Sequence, residues 1–174
     1  MERRSLVAGV GINDADYVTQ RRIDGRHWMC PVFAAWKRMI NSGHAVHADW
    51  FRFSNFRHWM VRRKWQGKVL DRWLYGDGIT YSPEHCCFLD RQSSTLAHGM
   101  NEHSDMGVDR PHGETLTRPY RVTFRKHIGY YQTYEQAREV WCNLARAEFK
   151  RLNSNRAHRE AVDHLYAKIK TLSE

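Results

Sequence analysis

The chain has 174 residues and a mass of 20.7 kDa, which suits one medium domain or two small ones. Hydrophobic residues make up 41% and charged residues 27%, so we expect a packed core and no wholesale disorder. Twenty-eight Lys and Arg against nineteen Asp and Glu give a net charge of +9. That charge favours polyanionic partners, nucleic acid first and anionic membrane second.

Apolar runs and cysteine usage exclude further classes of protein. No stretch approaches the roughly 20 apolar residues that span a bilayer. The apolar run from Leu6 to Val10 is too short for the apolar region of a signal peptide. Four cysteines in a chain of this size do not make a disulfide framework. We therefore expect a soluble, cytoplasmic protein with no membrane partner.

The first half of the chain predicts two helices and two strands. Residues 1–29 are expected to be irregular, since glycines and Asp or Asn punctuate them. A helix begins at Pro31, carries apolar residues on one face and stops at Ser42-Gly43. A second helix is predicted from Ser54, as its N-cap, to about 65–67. Strands are predicted at 68–74 and 80–89 around a Gly-rich turn, and a short helix at 90–97.

The second half has a clearer pattern. Residues 99–119 are polar and contain Gly and Pro, so the main linker is predicted there. Residues 120–124 and 127–131 predict a tight hairpin. Thr133 with Gln136 forms a capping-box pattern that opens a long helix, which Asn153-Ser154-Asn155 ends. A last amphipathic helix follows, with Ala161, Val162, Leu165, Ile169 and Leu172 on its apolar face. The predicted fold class is α+β, in two small lobes.

A basic, aromatic segment lies between residues 50 and 70. It contains no acid and six basic residues, namely Arg52, Arg57, Arg62, Arg63, Lys64 and Lys68, with six aromatic residues interleaved. Basic side chains supply phosphate contacts and release counterions, while aromatic residues build the core beneath them or stack on bases. The alternative is a solvated helix face over an aromatic core. We expect nucleic-acid contacts from some of these basic residues.

Histidines and cysteines give a second signal. His44 and His47 follow a Gly turn, Cys30 opens the first predicted helix, and His85-Cys86-Cys87 lies in the second predicted strand. A structural zinc site uses four nitrogen or sulfur ligands, often two of them from one tight turn. The other interpretation is surface histidines with buried free thiols, because eleven histidines produce such pairs by chance.

An acid and a histidine end the two predicted strands. Asp71 closes the first strand and His85 lies near the end of the second. One Mg²⁺ held by a carboxylate, with a nearby base to activate water, is the minimum for phosphodiester hydrolysis. The alternative is an ordinary hairpin in which Asp71 caps a turn.

The segment around Asp71 and His85 resembles the HNH (His-Me finger) endonucleases common in bacteriophages, including free-standing homing endonucleases. The matching residues are Leu70-Asp71-Arg72, Gly76, Gly78, Tyr81-Ser82-Pro83-Glu84, Cys86 and Phe88. Two upstream blocks are also similar, Trp50-Phe51-x-Phe53-Ser54-Asn55-Phe56-x-x-Trp59-Met60 and Gly9-Val10-Gly11-Ile12-Asn13-Asp14-Ala15-Asp16-Tyr17. In such relatives a Cys-x-x-Cys often stands where this chain has His44-Ala45-Val46-His47, a change that keeps metal-ligand chemistry.

The C-terminal part resembles the AP2-like DNA-binding module found in many of the same phage proteins. The matching residues are Tyr120-Arg121-Val122-Thr123-Phe124 and Ile128-Gly129-Tyr130-Tyr131-Gln132-Thr133-Tyr134-Glu135-Gln136-Ala137. The two resemblances together imply four parts: an irregular segment at 1–29, an HNH-like ββα-metal domain at 30–106, an AP2-like sheet and helix at 107–153, and an amphipathic helix at 154–174.

The resemblance implies a metal-dependent DNA endonuclease acting in the cytoplasm of an infected host cell. Asp71 would bind Mg²⁺ or Mn²⁺, His85 would be the candidate base, and Arg72 would contact the scissile phosphate. Duplex DNA would be held by Arg57, Arg62, Arg63, Lys64, Lys68, Arg121, Arg125 and Lys126. If a structural Zn²⁺ is present, its implied ligands are Cys30, His44, His47 and Cys86.

This sequence departs from the HNH pattern at three positions. Arg72 stands where the general-base His is expected, His85 replaces a structural Asn, and the position of a second metal ligand falls near Ser94. An arginine does not readily deprotonate water. The alternative is therefore a catalytically degenerate HNH-like protein that acts by binding DNA, or by binding a host or phage protein as a regulator or anti-defence factor.

Overall fold

This computed structural model describes residues 6–101, 104–111 and 117–171, with side chains to residue 168. Within these ranges lie five α-helices, one short 3-10 helix (Ala48–Phe51) and nine short strands. The fold class is α+β, as predicted. The contacts divide the chain into two units, residues 1–89 and 90–174. None of the helices in the described ranges is both long and apolar enough to cross a bilayer.

The first two named strands of unit 1 form a hairpin that was not predicted. Strand β1 (Gln20–Ile23) pairs antiparallel with β2 (Arg26–Met29) through a turn at Asp24 and Gly25. Both turn residues have positive φ, +49° and +75°, as a type I′ turn requires. The prediction that residues 1–29 are irregular is wrong for this segment, because the hairpin has no buried face to leave an alternating pattern.

The two predicted helices of unit 1 are present. Helix α1 (Pro31–Ile40) has proline in its first turn, as predicted. Helix α2 (Phe53–Val61) begins before Ser54 and ends earlier than expected. Ser54 is not its N-cap: the Ser54 backbone N–H donates to Asp14 Oδ1 at 2.8 Å and its hydroxyl donates to Asp14 Oδ2 at 2.7 Å. A carboxylate from a distant loop therefore supports this helix start.

The core of unit 1 is aromatic. Trp36 is fully buried, and its indole N–H donates to the Trp50 carbonyl at 2.7 Å. Phe53 and Phe56 are also fully buried, and the Trp50 ring packs edge-on against Phe56. These aromatic residues of the 50–70 segment therefore build the core, while its basic residues are left toward solvent.

Four short strands support the loop that follows Asp71. Strand β3 (Ala45–Val46) pairs in parallel with β5 (Thr80–Tyr81), and β4 (Val69–Asp71) pairs antiparallel with β6 (Cys87–Leu89). The single strand predicted at 80–89 is therefore wrong, because its two ends pair with different partners.

Unit 2 combines a three-stranded antiparallel sheet with three helices. Helix α3 (Arg91–Gly99) comes first, with Asp90 accepting the Ser93 N–H as its N-cap. Strands β7 (Val108–Asp109), β8 (Tyr120–Phe124) and β9 (Lys126–Tyr131) form the sheet in that order. Helix α4 (Tyr134–Leu152) follows, with the Thr133 hydroxyl accepting the Gln136 N–H as predicted, and then α5 (Arg156–Thr171).

The core of unit 2 lies between α4 and the elements on which it packs. Trp141, Phe149 and Val122 are buried there. Arg138 is only 5% exposed, and its guanidinium donates to the carbonyls of Gly99 and Asn101 at the end of α3. Because α3 packs on α4, it belongs to unit 2. The observed division at 89/90 thus differs from the predicted limit at 106/107. Of the predicted apolar face of α5, Ala161 and Val162 are buried, whereas the side chains of Ile169 and Leu172 lie outside the described part.

Candidate functional site

Arg72 lies in the loop after β4, and three acceptors fix its guanidinium. Its Nε donates to the Gly78 carbonyl at 2.5 Å, one terminal nitrogen donates to the Tyr81 hydroxyl at 2.7 Å, and the other lies 2.9 Å from His44 Nε2. A guanidinium only donates, so His44 Nε2 accepts and the proton of the neutral ring is assigned to Nδ1. We call these three side chains, Arg72, His44 and Tyr81, the Arg72 cluster.

The local backbone explains this arrangement. The parallel pairing of β3 with β5 places His44, which precedes β3, near Tyr81, with ring centroids 6.1 Å apart. Gly78 has φ +72°, and a Cβ at this position would collide with the Trp73 indole. Glycine is therefore needed for the tight loop that presents the carbonyl to Arg72.

Asp71 is buried beneath this loop. The residue is only 1% exposed. Its Oδ1 accepts the backbone N–H groups of Trp73 at 3.0 Å and Leu74 at 2.9 Å. These bonds are those of an aspartate that caps a turn. A Mg²⁺ ion takes octahedral coordination and usually keeps several waters, which a carboxylate in this setting does not accommodate. Asp71 in this conformation does not fit the predicted metal-binding role.

His85 lies against the same loop as Arg72. A Cβ on Gly76 would be 2.7 Å from the Arg72 carbonyl oxygen and 2.8 Å from His85 Cβ, so both residues flank Gly76. The His85 ring is half-buried, and its Nδ1 has no hydrogen-bond partner within the described part of the chain. The Arg72 backbone and the His85 side chain thus border the same glycine, and the predicted metal ligand Asp71 lies beneath this loop.

The four predicted zinc ligands are not assembled. Among the described residues no three His, Cys, Asp or Glu side chains form a group that could hold a metal. Cys30 Sγ lies 3.6 Å from the Tyr17 hydroxyl, and His47 Nδ1 accepts the Asp49 N–H at 3.4 Å. Cys86 lies in the apolar core, where burial raises its thiol pKa to about 12. The quartet Cys30, His44, His47 and Cys86 therefore does not fit a tetrahedral Zn²⁺ site in this structure.

The predicted DNA contacts of unit 1 lie on and after α2. Arg57, Arg62, Lys64 and Lys68 are all exposed, and none of them forms an ion pair with a carboxylate of the described residues. We call these four the basic segment. Arg63 is different: its guanidinium donates to the Trp59 carbonyl at 2.7 Å and lies 4.1 Å from the centre of the Trp59 ring. Arg63 thus covers the aromatic core.

The predicted contacts of unit 2 are mostly engaged within that unit. Arg121 makes two hydrogen bonds to Asp109, at 2.9 and 2.5 Å, and Arg125 pairs with Glu148 at 2.5 Å. Lys126 is exposed. Two of these three cations already have a carboxylate partner, which reduces what they contribute to binding a phosphate.

The ion pairs of Glu148 with Arg125 and Arg151 give a pH prediction for unit 2. Hydrogen bonding from Arg151, together with the charge of Arg125, lowers the pKa of Glu148 to about 2. A lowered carboxylate pKa contributes stability that is full above the ordinary value of about 4.3 and is lost as the pH falls toward about 2. We expect Glu148→Gln to make the urea midpoint of unit 2 less sensitive to acid between these values. An unchanged pH dependence in the variant would contradict this assignment.

Two features of unit 1 were missed in the sequence. His44 was assigned to a metal site, but it bonds Arg72 across 28 positions of chain, a separation that no local pattern reports. The β1–β2 hairpin carries Arg21, Arg22 and Arg26, and its Asp-Gly turn is a signal that could have found it.

Comparison with known proteins adds no family to this geometry. No family model matches the chain, and no curated protein or solved structure matches it.

Proposed function

We propose that the chain binds duplex DNA, and that unit 1 makes the contact through the basic segment. The carrying observation is the group of exposed cations at and beyond α2, with no acid anywhere between residues 50 and 70. Each phosphate neutralised by such a cation releases counterions, which supplies most of the affinity for DNA of any sequence. A net charge of +9 acts in the same direction.

The HNH-like and AP2-like resemblances support this proposal at the level of element order. Strands β4 and β6 pair antiparallel and α3 follows them in the chain, which is the order of a ββα motif. Strands β8 and β9 precede α4, in the order expected of the AP2-like module. The buried, turn-capping Asp71 favours the degenerate form, in which this frame serves binding rather than catalysis.

Phosphodiester hydrolysis is a second candidate, which the Arg72 cluster favours. A guanidinium has five N–H groups, and three of them are used in the cluster, so two are left to stabilise the charge that develops on a phosphate. If the hydrogen bond from Arg72 opens, the lone pair on His44 Nε2 becomes available to accept a proton next to the guanidinium. In this candidate Mg²⁺ or Mn²⁺ would supply Lewis acidity, but Asp71 as it stands is not arranged to hold the ion.

The binding proposal is tested with two double variants of equal charge change. Arg62→Gln with Lys64→Gln removes two cations of the basic segment, and Arg91→Gln with Arg159→Gln removes two exposed cations of unit 2, one from α3 and one from α5. Fluorescence anisotropy with labelled duplex DNA over a salt series gives the affinity and the salt slope, which is the steepness with which log K falls as log[salt] rises. We expect the first variant to lower the slope by up to ~1.8, at ~0.9 per phosphate contact, and the second to leave it unchanged. Equal effects of both variants would contradict a localised contact.

A plasmid-nicking assay separates the two candidates. Wild type, Arg72→Gln and an EDTA control are incubated with plasmid in Mg²⁺ or Mn²⁺ at low salt. Under the binding proposal we expect retardation of the DNA without nicking. Metal-dependent nicking that Arg72→Gln abolishes would establish the second candidate instead. If the wild type does not bind DNA at low salt, the proposal is overturned and a host or phage protein becomes the partner to seek.

A further inference from the structure

The β1–β2 hairpin is basic on both of its faces. Directly paired residues share a face, so Arg22 and His27 lie on one face, while Arg21 with Trp28 and Ile23 with Arg26 lie on the other. Residues 20–28 are all exposed, and the Trp28 and Ile23 side chains are 40% and 41% accessible. The only acid in the hairpin is Asp24, in the turn.

Among the described residues, the hydrogen bond and the core contact that tie the hairpin to the rest of unit 1 lie at its base. The Cys30 N–H donates to the Thr19 carbonyl at 2.8 Å, Thr19 is buried, and Met29 packs on the aromatic core. Beyond this base the Arg21 guanidinium lies 5.4 Å from the centre of the Trp28 ring. An isolated two-stranded hairpin is marginal in water. A short ribbon that leaves cationic side chains in solvent on both faces, and apolar side chains on one of them, has the features of an arm that a partner completes.

We propose that this hairpin enters the major groove of duplex DNA, an inference that rests on the proposed function and specifies it. The major groove, about 12 Å wide, admits a two-stranded β-ribbon. Within it, cations on both faces meet the phosphates that border the groove on its two sides. A lipid surface or the edge of another protein would meet one face only, and would leave the arginine or arginines of the opposite face unused. The Asp24 turn then points toward the base edges, where a carboxylate accepts from cytosine N4.

The test combines a hairpin variant with chemical footprinting. Arg21→Gln, Arg22→Gln and Arg26→Gln together remove the three arginines, all exposed, so circular dichroism and the urea midpoint should match wild type. Dimethyl sulfate methylates guanine N7 in the major groove and adenine N3 in the minor groove, so one reagent reports both grooves. We expect wild type to protect guanine N7, and the variant to lose this protection while its salt slope falls by up to ~2.7, at ~0.9 per phosphate.

A second variant tests the charge at the turn without removing an arginine. Asp24→Asn keeps a residue that tolerates positive φ, and Asn-Gly is a favoured type I′ pair, so the hairpin is retained. Removing the single negative charge should strengthen binding to duplexes of average sequence and steepen the salt dependence. Unchanged or weaker binding would count against insertion of the turn.

The outcomes separate this inference from the proposed function. If wild type binds duplex DNA and the Arg62/Lys64 variant weakens it, but the hairpin variant keeps both its salt slope and its guanine N7 protection, the inference is overturned and the proposed function stands. Protection of adenine N3 alone would likewise overturn it. If wild type binds no DNA at low salt, both fail together.

Discussion

Gly107→Ala is expected to destabilise unit 2 by about 3 kcal/mol or more. Gly107 has φ +73°, which costs an L-residue strain wherever it occurs. A Cβ there would also lie 2.5 Å from the Thr123 carbonyl oxygen and would collide with the Trp141 indole. Trp141 is 3% exposed and cannot move without opening the contact between α4 and the sheet. Hydrogen exchange of peptides covering residues 120–131, with urea denaturation, measures the loss.

Gly129→Ala provides the matched control in the same sheet. Its Cβ would be 3.5 Å from the nearest atom, the Tyr131 hydroxyl, which is ordinary van der Waals contact. Gly129 does not have positive φ, so alanine fits and reduces the entropy of the unfolded chain. We expect its stability to stay within about 1 kcal/mol of wild type. Equal losses in the two variants would show that the Trp141 contact is not the cause.

Asp71→Ala is the second large expected effect, and it bears on function. Removing the carboxylate leaves the backbone N–H groups of Trp73 and Leu74 without their acceptor, at about 1–3 kcal/mol for each that stays buried. Asp71→Asn keeps an oxygen at the same place, so we expect about 1 kcal/mol or less. Urea denaturation of unit 1 measures both, and equal losses would exclude a capping role.

The Asp71→Asn variant separates structure from catalysis. If Asp71 caps the loop and does nothing else, this variant keeps the fold and the DNA affinity of wild type. A variant that is folded and binds DNA, but loses a metal-dependent nicking activity present in wild type, would instead assign Asp71 to the chemistry. Asp71→Ala cannot make this distinction, because it disturbs the loop after β4, and a loss of activity would follow from that disturbance alone.

The elements that the sequence predicted well are those with a local signal. Helix α1 has proline in its first turn and an apolar face, and α4 has the Thr133 cap and a long amphipathic pattern. The β8–β9 hairpin also has the predicted position. In each case the information lies within a few residues of the element, where propensity, capping and periodicity act.

The errors share a different cause, which is dependence on distant residues. The support for α2 comes from Asp14, forty positions away, so Ser54 was taken as the cap. The end of the predicted strand at 80–89 pairs with β4, but its beginning pairs with β3. The predicted zinc ligands were grouped by residue type and spacing, which do not specify where side chains meet. Of the candidate site, Arg72 was found and its partner His44 was not recognised.

The buried thiols give each unit its own chemical reporter. Cys86 and Cys87 lie in unit 1 and Cys142 in unit 2, all without disulfides, and burial raises the pKa of each thiol, to about 11 for Cys142. The thiolate is the reactive form, so alkylation and oxidation of these sulfurs require the surrounding structure to open first. Rates of thiol labelling in native buffer therefore report the opening of the two units separately, and reducing agents are not needed to keep these three cysteines intact while the units stay closed.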